Sequence, residues 1–209
     1  MDAEVLQQNS IYAANIQRGR KLEYLTIGWN SLEAVVAIVA GLTAGSIALV
    51  GFGVDSVIEV SSGAILLWRL FAGEHREQLA LKLVGVSFLA LAAYIAFDAV
   101  KSLWFRELPE ESYIGIAIAA LSIIVMPLLA RAKRQVAANL NSRAMQADSR
   151  QTDICAYLSA ILLIGLGLNA LFGWWWADPV AGLIMIPIIA KEGIEALQGK
   201  TCCGDEVCH

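Results

Sequence analysis

The stretch GFGVDSVIEVSSG, residues 51–63, lies inside a long apolar run and yet carries two carboxylates, Asp55 and Glu59. Residues four apart share one face of a helix, so both side chains point the same way near its middle. An acidic residue at the centre of a bilayer costs about 2.5–3.5 kcal/mol on insertion scales, and a second one nearby adds repulsion. The pair therefore needs a partner: a cation, a proton, or donors from a neighbouring helix.

Two interpretations of the acidic pair follow. Acidic residues inside a membrane usually mark an ion pathway, whereas the structural alternative is a protonated pair that is hydrogen-bonded inside a helix bundle. Small residues surround the pair and make its helix thin, which permits another helix to approach closely. These small residues are Gly51, Gly53, Ser56, Ser61, Ser62 and Gly63.

The composition supports a membrane setting for this stretch. Of the 209 residues, 58% are hydrophobic and only 16% are charged, compared with about 25% charged in soluble domains. Each apolar block is long enough to cross about 30 Å of hydrocarbon, and lipid offers the backbone no partners, so each block should be a helix. The blocks are 24–44, 46–70, 80–103, 112–131, 152–173 and 177–197. The fold class predicted is therefore all-α, a polytopic membrane protein with six transmembrane helices.

The basic residues predict which side each loop occupies. The turns that join blocks one and two, three and four, and five and six hold only two of the 15 Lys and Arg residues, Lys101 and Arg106. The positive-inside rule then places both termini in the cytoplasm. Residues 1–23 show no compact apolar core of a cleavable signal peptide, so we expect a cytoplasmic N-terminal segment there.

Local signals predict how the blocks are joined. TAGS at 43–46 is short enough only for a tight helical hairpin, and the basic connection 131–150 has no Pro or Gly, so it should extend helices four and five. Pro127 and Pro187 fall inside helices. Asp178 before Pro179 is typical of a helix N-cap followed by proline in the first turn.

The fifth block supplies candidate partners for the acidic pair. In ADSRQTDICAYLSA, residues 147–160, Gln151 and Cys155 are four apart, Asp148 lies on their face one turn earlier, and Asp153 projects elsewhere. Two carboxylates with an amide and a thiol would form a four-ligand pocket. A thiolate favours Zn²⁺ or Cd²⁺ over Mg²⁺ or Ca²⁺. The alternative for Cys155 is a small core residue.

Together these motifs resemble the cation diffusion facilitator (cation efflux) family. The likeness rests on the spaced acidic pair in helix two, the second spaced pair in helix five after AD, the entry GSIALVGFGVDS, and ADPVAGL at the start of helix six. It covers all six helices and the N-in, C-in topology. The resemblance implies that residues 24–197 form a transport domain with the metal ion held between helices two and five.

The resemblance also shows where this chain departs from the family. Asp55 matches the first helix-two ligand, and Glu59 stands for the second, usually Asp. Gln151 stands where the zinc transporters carry His, and Cys155 where they carry Asp. The thiol favours softer metals, and Asp153 is an alternative ligand if helix five is rotated.

Residues 198–209 form a short tail with Cys and His. Members of the family commonly add a cytoplasmic metal-sensing and dimerising domain, whereas this chain ends about a dozen residues after block six, so we expect a short member without that domain. Soft-metal capture and an oxidation-prone end are both open interpretations of the tail. Its candidate ligands are Cys202, Cys203, Cys208 and His209.

Three further polar residues interrupt the apolar blocks. Asn30 and Glu33 lie near the start of helix one, and Asp98 lies near the outer end of helix three. Glu33 and Asp98 are candidates for relaying protons or pairing with Lys101. A structural or interfacial role is an equal alternative for each of the three.

The expected function is export of divalent transition-metal cations such as Zn²⁺ or Cd²⁺ by proton antiport across a bacterial inner membrane. The alternatives are a channel, and a non-transporting metal sensor or scaffold that uses the Cys-rich tail. No block presents a Ser–His pair or a His-rich motif, so we expect no enzyme. The expected partners are the metal ion, protons, lipid and a homodimer mate, with no nucleic acid and no cofactor beyond the transported ion.

Overall fold

A computed structural model describes residues 2–72, 77–106 and 110–198 of the chain. Six α-helices, joined mostly by short turns, account for nearly all of the described residues. They are α1 (Asp2–Ala44), α2 (Ile47–Ala72), α3 (Glu77–Phe105), α4 (Tyr113–Leu140), α5 (Arg143–Phe172) and α6 (Ala177–Leu197).

The chain is an all-α, polytopic membrane protein, as the six apolar blocks predicted. Five of the described helices, α1 to α5, are long and apolar enough to span a bilayer. Helix α6 has 21 residues and carries charge at both ends, at Asp178 and at Lys191, Glu192 and Glu195. It packs lengthwise on α3, with Met185 and Ile189 fully buried.

Three helices extend well beyond the apolar blocks. Helix α1 has 43 residues, about 65 Å at 1.5 Å per residue, and includes most of the segment expected to precede the first span. Helices α4 and α5 run almost through the whole basic connection and are separated only by a turn at Asn141 and Ser142. Asn141 has the left-handed conformation that ends α4, and the Ser142 hydroxyl caps α5. The predicted helical extension of 131–150 is confirmed.

Helices α1, α2, α5 and α4 form a four-helix bundle in that order around its axis. Helices α3 and α6 form a pair beside the bundle, where α3 contacts α2, and α6 contacts both α5 and α2. The apolar core lies between these layers and contains Phe52, Ile95, Leu158 and Met185. This arrangement places α2 and α5 side by side at the centre of the molecule.

Glycines bring α1 and α2 into close contact. A Cβ atom on Gly53 would lie 2.9 Å from the Ile38 backbone nitrogen of α1, and a Cβ atom on Gly41 would lie 2.8 Å from the Val50 nitrogen of α2. Only glycine permits so close an approach. Gly45 adopts a φ of 65° in the turn between the two helices, so the predicted tight hairpin at TAGS is confirmed.

Asp178 has a structural role that differs from the one its sequence predicted. Its carboxylate accepts hydrogen bonds from the Ser46 hydroxyl at 2.5 Å and from the Ile47 N–H at 3.0 Å. Asp178 is in the first turn of α6, yet it caps the first turn of the neighbouring helix α2. The prediction that Asp178 caps its own helix is wrong. It caps α2 instead, because the hairpin brings the free N–H groups of α2 within reach of its carboxylate.

Candidate functional site

The two carboxylates of α2 face the interior of the bundle. Asp55 is 3% exposed and Glu59 is 1% exposed, and Ser56 between them is also buried. Helix α1 packs on α2 through the glycine contacts, and α5 lies against the acidic face, where Thr152 contacts Glu59. Two acidic side chains are thus held away from lipid, where they require donors or cations.

Helix α5 presents a polar face to these carboxylates. Asp148, Thr152, Cys155 and Ser159 follow one another at spacings of four, three and four residues, and all are buried. The Thr152 hydroxyl donates a hydrogen bond to Glu59 Oε1 at 2.7 Å. Helix α5 begins as early as Arg143, and its first turns reach the level of the acidic pair.

Glu33 of α1 completes the contacts on the opposite side. Its Oε1 accepts a hydrogen bond from the Ser56 hydroxyl at 3.0 Å and lies 3.7 Å from the Cys155 thiol sulfur, while its Oε2 accepts from the Ser122 hydroxyl of α4. Glu33 is fully buried. The carboxylate therefore links all four helices of the bundle.

Cys155 lies among three acidic side chains. Besides its contact with Glu33, its thiol interacts electrostatically with the nearby carboxylates of Asp55 and Glu59. The residues Glu33, Asp55, Glu59 and Cys155 are referred to below as the carboxylate–thiol cluster. Within the described part of the chain Cys155 forms no disulfide, so its sulfur is available as a soft ligand between oxygen ligands.

A second buried group adjoins this cluster. The Lys133 ammonium of α4, which is fully buried, pairs with the Asp148 carboxylate of α5 and with Glu23 Oε2 of α1 at 3.2 Å. It also donates to Thr152 Oγ1 at 3.4 Å. Glu23, Lys133, Asp148 and Thr152 are referred to below as the lysine network, which is joined to the cluster through the Thr152–Glu59 hydrogen bond.

The remaining predicted ligands occupy other positions. Gln151 is half-buried, and its side-chain nitrogen makes no hydrogen bond with the described residues. Asp153 is ion-paired with Arg134 on a partly exposed face of α4 and α5, away from the cluster. The predicted tail ligands Cys202, Cys203, Cys208 and His209 lie outside the described residues.

The cluster is an open set of donors. Within residues 2–72, 77–106 and 110–198, no three His, Cys, Asp or Glu side chains already converge as a closed metal cage. Glu59 Oε2 and both side-chain amide atoms of Asn30 are buried and make no hydrogen bond in this part of the chain. The side chains would have to rearrange to bind one ion together.

Sequence reasoning underestimated four residues of this region. Glu33 was predicted to relay protons or pair with Lys101, or to have a structural role, but not to lie beside the acidic pair. Glu23, Lys133 and Thr152 were not predicted at all. The signal for Thr152 was present, because Asp148, Thr152 and Cys155 follow the spacing of one helix face. The signal for Lys133 was masked, because it lies in a basic stretch that is typical of a cytoplasmic loop.

Comparison with known proteins places this arrangement in context. The family model described as the cation efflux transmembrane domain matches residues 24–198. Transmembrane protein 163 of Xenopus laevis is 29% identical over 182 residues, which cover 84% of this chain and 65% of that protein. An uncharacterised transporter of Methanocaldococcus jannaschii is 28% identical over 183 residues, which cover 82% of this chain and 64% of that protein.

A third relative has a more specific description. The cation-efflux pump FieF of Shewanella oneidensis is 26% identical over 86 residues, which cover 41% of this chain and 29% of the pump. The chain spans less than two thirds of the length of each of these three relatives.

Proposed function

The chain belongs to the cation efflux family, and from that premise we propose that it exports divalent transition-metal cations from the cytoplasm. Its match to the family's transmembrane domain covers residues 24–198. The ion is held between α2 and α5, with Asp55, Glu59 and Cys155 as ligands. Gln151, on the same helix as Cys155, is a further candidate.

The observation that carries the proposal is the juxtaposition of Cys155 with the two carboxylates of α2. Buried acidic side chains without a cation are unfavourable in lipid, and here three carboxylates and a thiol share one region of the bundle. Such a region attracts a divalent cation. Glu59 Oε2, which makes no hydrogen bond with the residues that the structure describes, is available to bind it.

The donor set supports an ion of the zinc and cadmium class. Oxygen ligands alone suit Mg²⁺ or Ca²⁺, whereas a thiolate among them favours borderline and soft ions. The family's usual His and Asp are Gln151 and Cys155 here, which moves the preference toward the softer end of that class.

Proton antiport follows from the same side chains. A metal ion and a proton compete for carboxylate oxygens and for the thiolate, so metal binding releases protons and proton binding releases metal. Metal affinity should therefore fall as the pH falls. A site that is open alternately to each side then carries metal outward and protons inward.

The test is metal flux in sealed vesicles that contain the purified protein and an internal pH dye. Zn²⁺ and Cd²⁺ should cross and move protons in the opposite direction, and Asp55→Asn should abolish both signals because it removes a charged ligand without changing shape. Asp153→Asn is the matched control, since Asp153 pairs with Arg134 outside the cluster, and its flux should equal that of the wild type.

Each result has a definite meaning. Wild-type flux in Asp55→Asn would contradict the ligand assignment. If metal flux does not change with an imposed proton gradient, the mechanism is a channel or facilitated diffusion and not antiport. No flux of any metal through the intact chain would favour a non-transporting sensor or scaffold.

A further inference from the structure

We propose that Thr152 is a specificity-determining residue: its hydroxyl occupies one oxygen of Glu59, leaves the other for the ion, and so favours four-coordinate cations over larger ones. The inference rests on the proposed function, because it concerns the cation bound at the same site. It assigns a role to a residue that does not itself bind the ion.

The first step is the geometry at Glu59. The Thr152 hydroxyl donates to Oε1 at 2.7 Å, whereas Oε2 is buried and makes no hydrogen bond among the described residues. The two oxygens of one carboxylate are therefore unequal. One is occupied by a charge-assisted hydrogen bond, and the other is vacant.

The second step is the direction of the Thr152 hydrogen bond. A hydroxyl has one proton and can also accept. The Lys133 ammonium can only donate, and it lies 3.4 Å from Thr152 Oγ1. The oxygen of Thr152 therefore accepts from Lys133. Its single proton has two acceptors within reach, the Asp148 carbonyl at 3.2 Å and Glu59 Oε1 at 2.7 Å, and it is directed to the nearer, charged Glu59. Lys133 is in turn fixed by Glu23 and Asp148.

The third step is the consequence for coordination. A carboxylate with one oxygen engaged supplies one ligand atom, which suits the tetrahedral geometry of Zn²⁺. A carboxylate with both oxygens free can bind in bidentate fashion, which suits ions that take six or more oxygen ligands, such as Mn²⁺ or Ca²⁺. Thr152 thus limits the number of oxygens at the site.

The experiment measures equilibrium binding of Zn²⁺ and Mn²⁺ to the purified full chain in detergent, by calorimetry and by competition. Thr152→Val removes the hydroxyl at nearly constant volume and should lower the Zn²⁺/Mn²⁺ affinity ratio about tenfold, roughly the effect of one hydrogen bond to a charged group. Thr152→Ser keeps the hydroxyl and should retain the wild-type ratio. Thr152→Ala repeats the test if the valine variant does not fold.

Thr26→Val is the matched control. Thr26 is also fully buried, but its hydroxyl donates to the Leu22 carbonyl of its own helix at 3.0 Å. The affinity ratio should not change in this variant. An equal shift in Thr26→Val, or an unchanged ratio in both Thr152→Val and Thr152→Ala, would overturn the inference.

Flux in vesicles separates this inference from the proposed function. If the wild type binds Zn²⁺ more tightly than Mn²⁺, the valine variant loses that preference, and neither metal crosses the membrane, the role of Thr152 is supported and the export function fails. If metals cross with the same selectivity in the wild type and in Thr152→Val, export is supported and the role of Thr152 is wrong.

Discussion

The thiol of Cys155 on α5 lies 3.7 Å from Oε1 of Glu33 on α1. Two helices that are far apart in the sequence therefore meet at the acidic face of α2. Glu33 also accepts hydrogen bonds from Ser56 on α2 and Ser122 on α4. A rearrangement of the cluster on cation binding would therefore change contacts among all four helices of the bundle.

Replacement of Glu33 by Gln should weaken cation binding about tenfold or more. The change removes a negative charge beside Cys155 and replaces one acceptor oxygen by a donor, which leaves one of the serine hydroxyls without its charged acceptor. Binding of Zn²⁺ and Cd²⁺ to the purified protein measures the effect. Glu111→Gln, on the exposed turn before α4, is the control and should bind as the wild type does; equal binding in both variants would separate Glu33 from the site.

Replacement of Cys155 by Ser should change metal preference more than it changes overall flux. Oxygen is a harder ligand than sulfur, so Cd²⁺ should lose more affinity than Zn²⁺, and the Zn²⁺/Cd²⁺ ratio should rise by about tenfold. Competition between the two metals in vesicles measures the ratio. A constant ratio would mean that the thiol does not contact the ion.

The double variant Gln151→His with Cys155→Asp restores the pattern of the family's zinc transporters and should favour Zn²⁺ further. The single variant Gln151→His distinguishes the two contributions. Because Gln151 is only half-buried on α5 whereas Cys155 is fully buried, its own effect on the ratio should be smaller than that of Cys155. A dominant effect of Gln151→His would show that α5 turns when the ion binds.

The number and type of helices could be predicted from the sequence. An apolar segment must be long enough to cross the bilayer, and its backbone groups must hydrogen-bond to one another in lipid, which leaves few alternatives to a helix. The tight hairpin at TAGS and the helical extensions around residues 131–150 followed from the same local signals. Helix α1 extends beyond the predicted block 24–44 through a polar first half, about which hydropathy made no prediction.

The partners of the acidic pair were harder to predict. Spacing identifies which residues share a face of α5, but the rotation and depth of α5 against α2 depend on packing between helices. Thr152, and not Gln151, therefore bonds Glu59. Lys133 illustrates the same limit. Sequence rules predict that a basic residue near a helix end is exposed to water, but the carboxylates of Glu23 and Asp148 on two other helices hold Lys133 inside the bundle.

Replacement of Asp178 by Ala should destabilise the fold while sparing the chemistry of the site. The Asp178 carboxylate caps α2 through Ser46 and the Ile47 N–H, and its loss leaves buried donors unsatisfied at a cost of about 1–3 kcal/mol. Unfolding in mixed micelles measures the loss, and the folded fraction should retain its Zn²⁺/Cd²⁺ ratio. A changed metal ratio with unchanged stability would assign Asp178 to the pathway.

Replacement of Lys133 by Met should strongly destabilise the protein. The variant leaves the buried carboxylates of Glu23 and Asp148 without their cation, and breaking a buried pair from one side costs about 3–5 kcal/mol. The free energy of unfolding in mixed micelles is the measurement. Lys191→Met is the control, because Lys191 is exposed and pairs with Glu195 at 3.7 Å, and such a surface pair contributes about 0–1 kcal/mol.

A triple variant shows whether the loss comes from the unpaired charges. Adding Glu23→Gln and Asp148→Asn to Lys133→Met removes both buried negative charges, so most of the lost stability should return. In this variant the Thr152 hydroxyl no longer accepts a hydrogen bond from Lys133. Its proton is therefore no longer held toward Glu59. The triple variant should therefore fold and yet bind Zn²⁺ with reduced selectivity over Mn²⁺. Failure to recover stability would mean that Lys133 holds α4 by packing of its aliphatic chain and not by its charge.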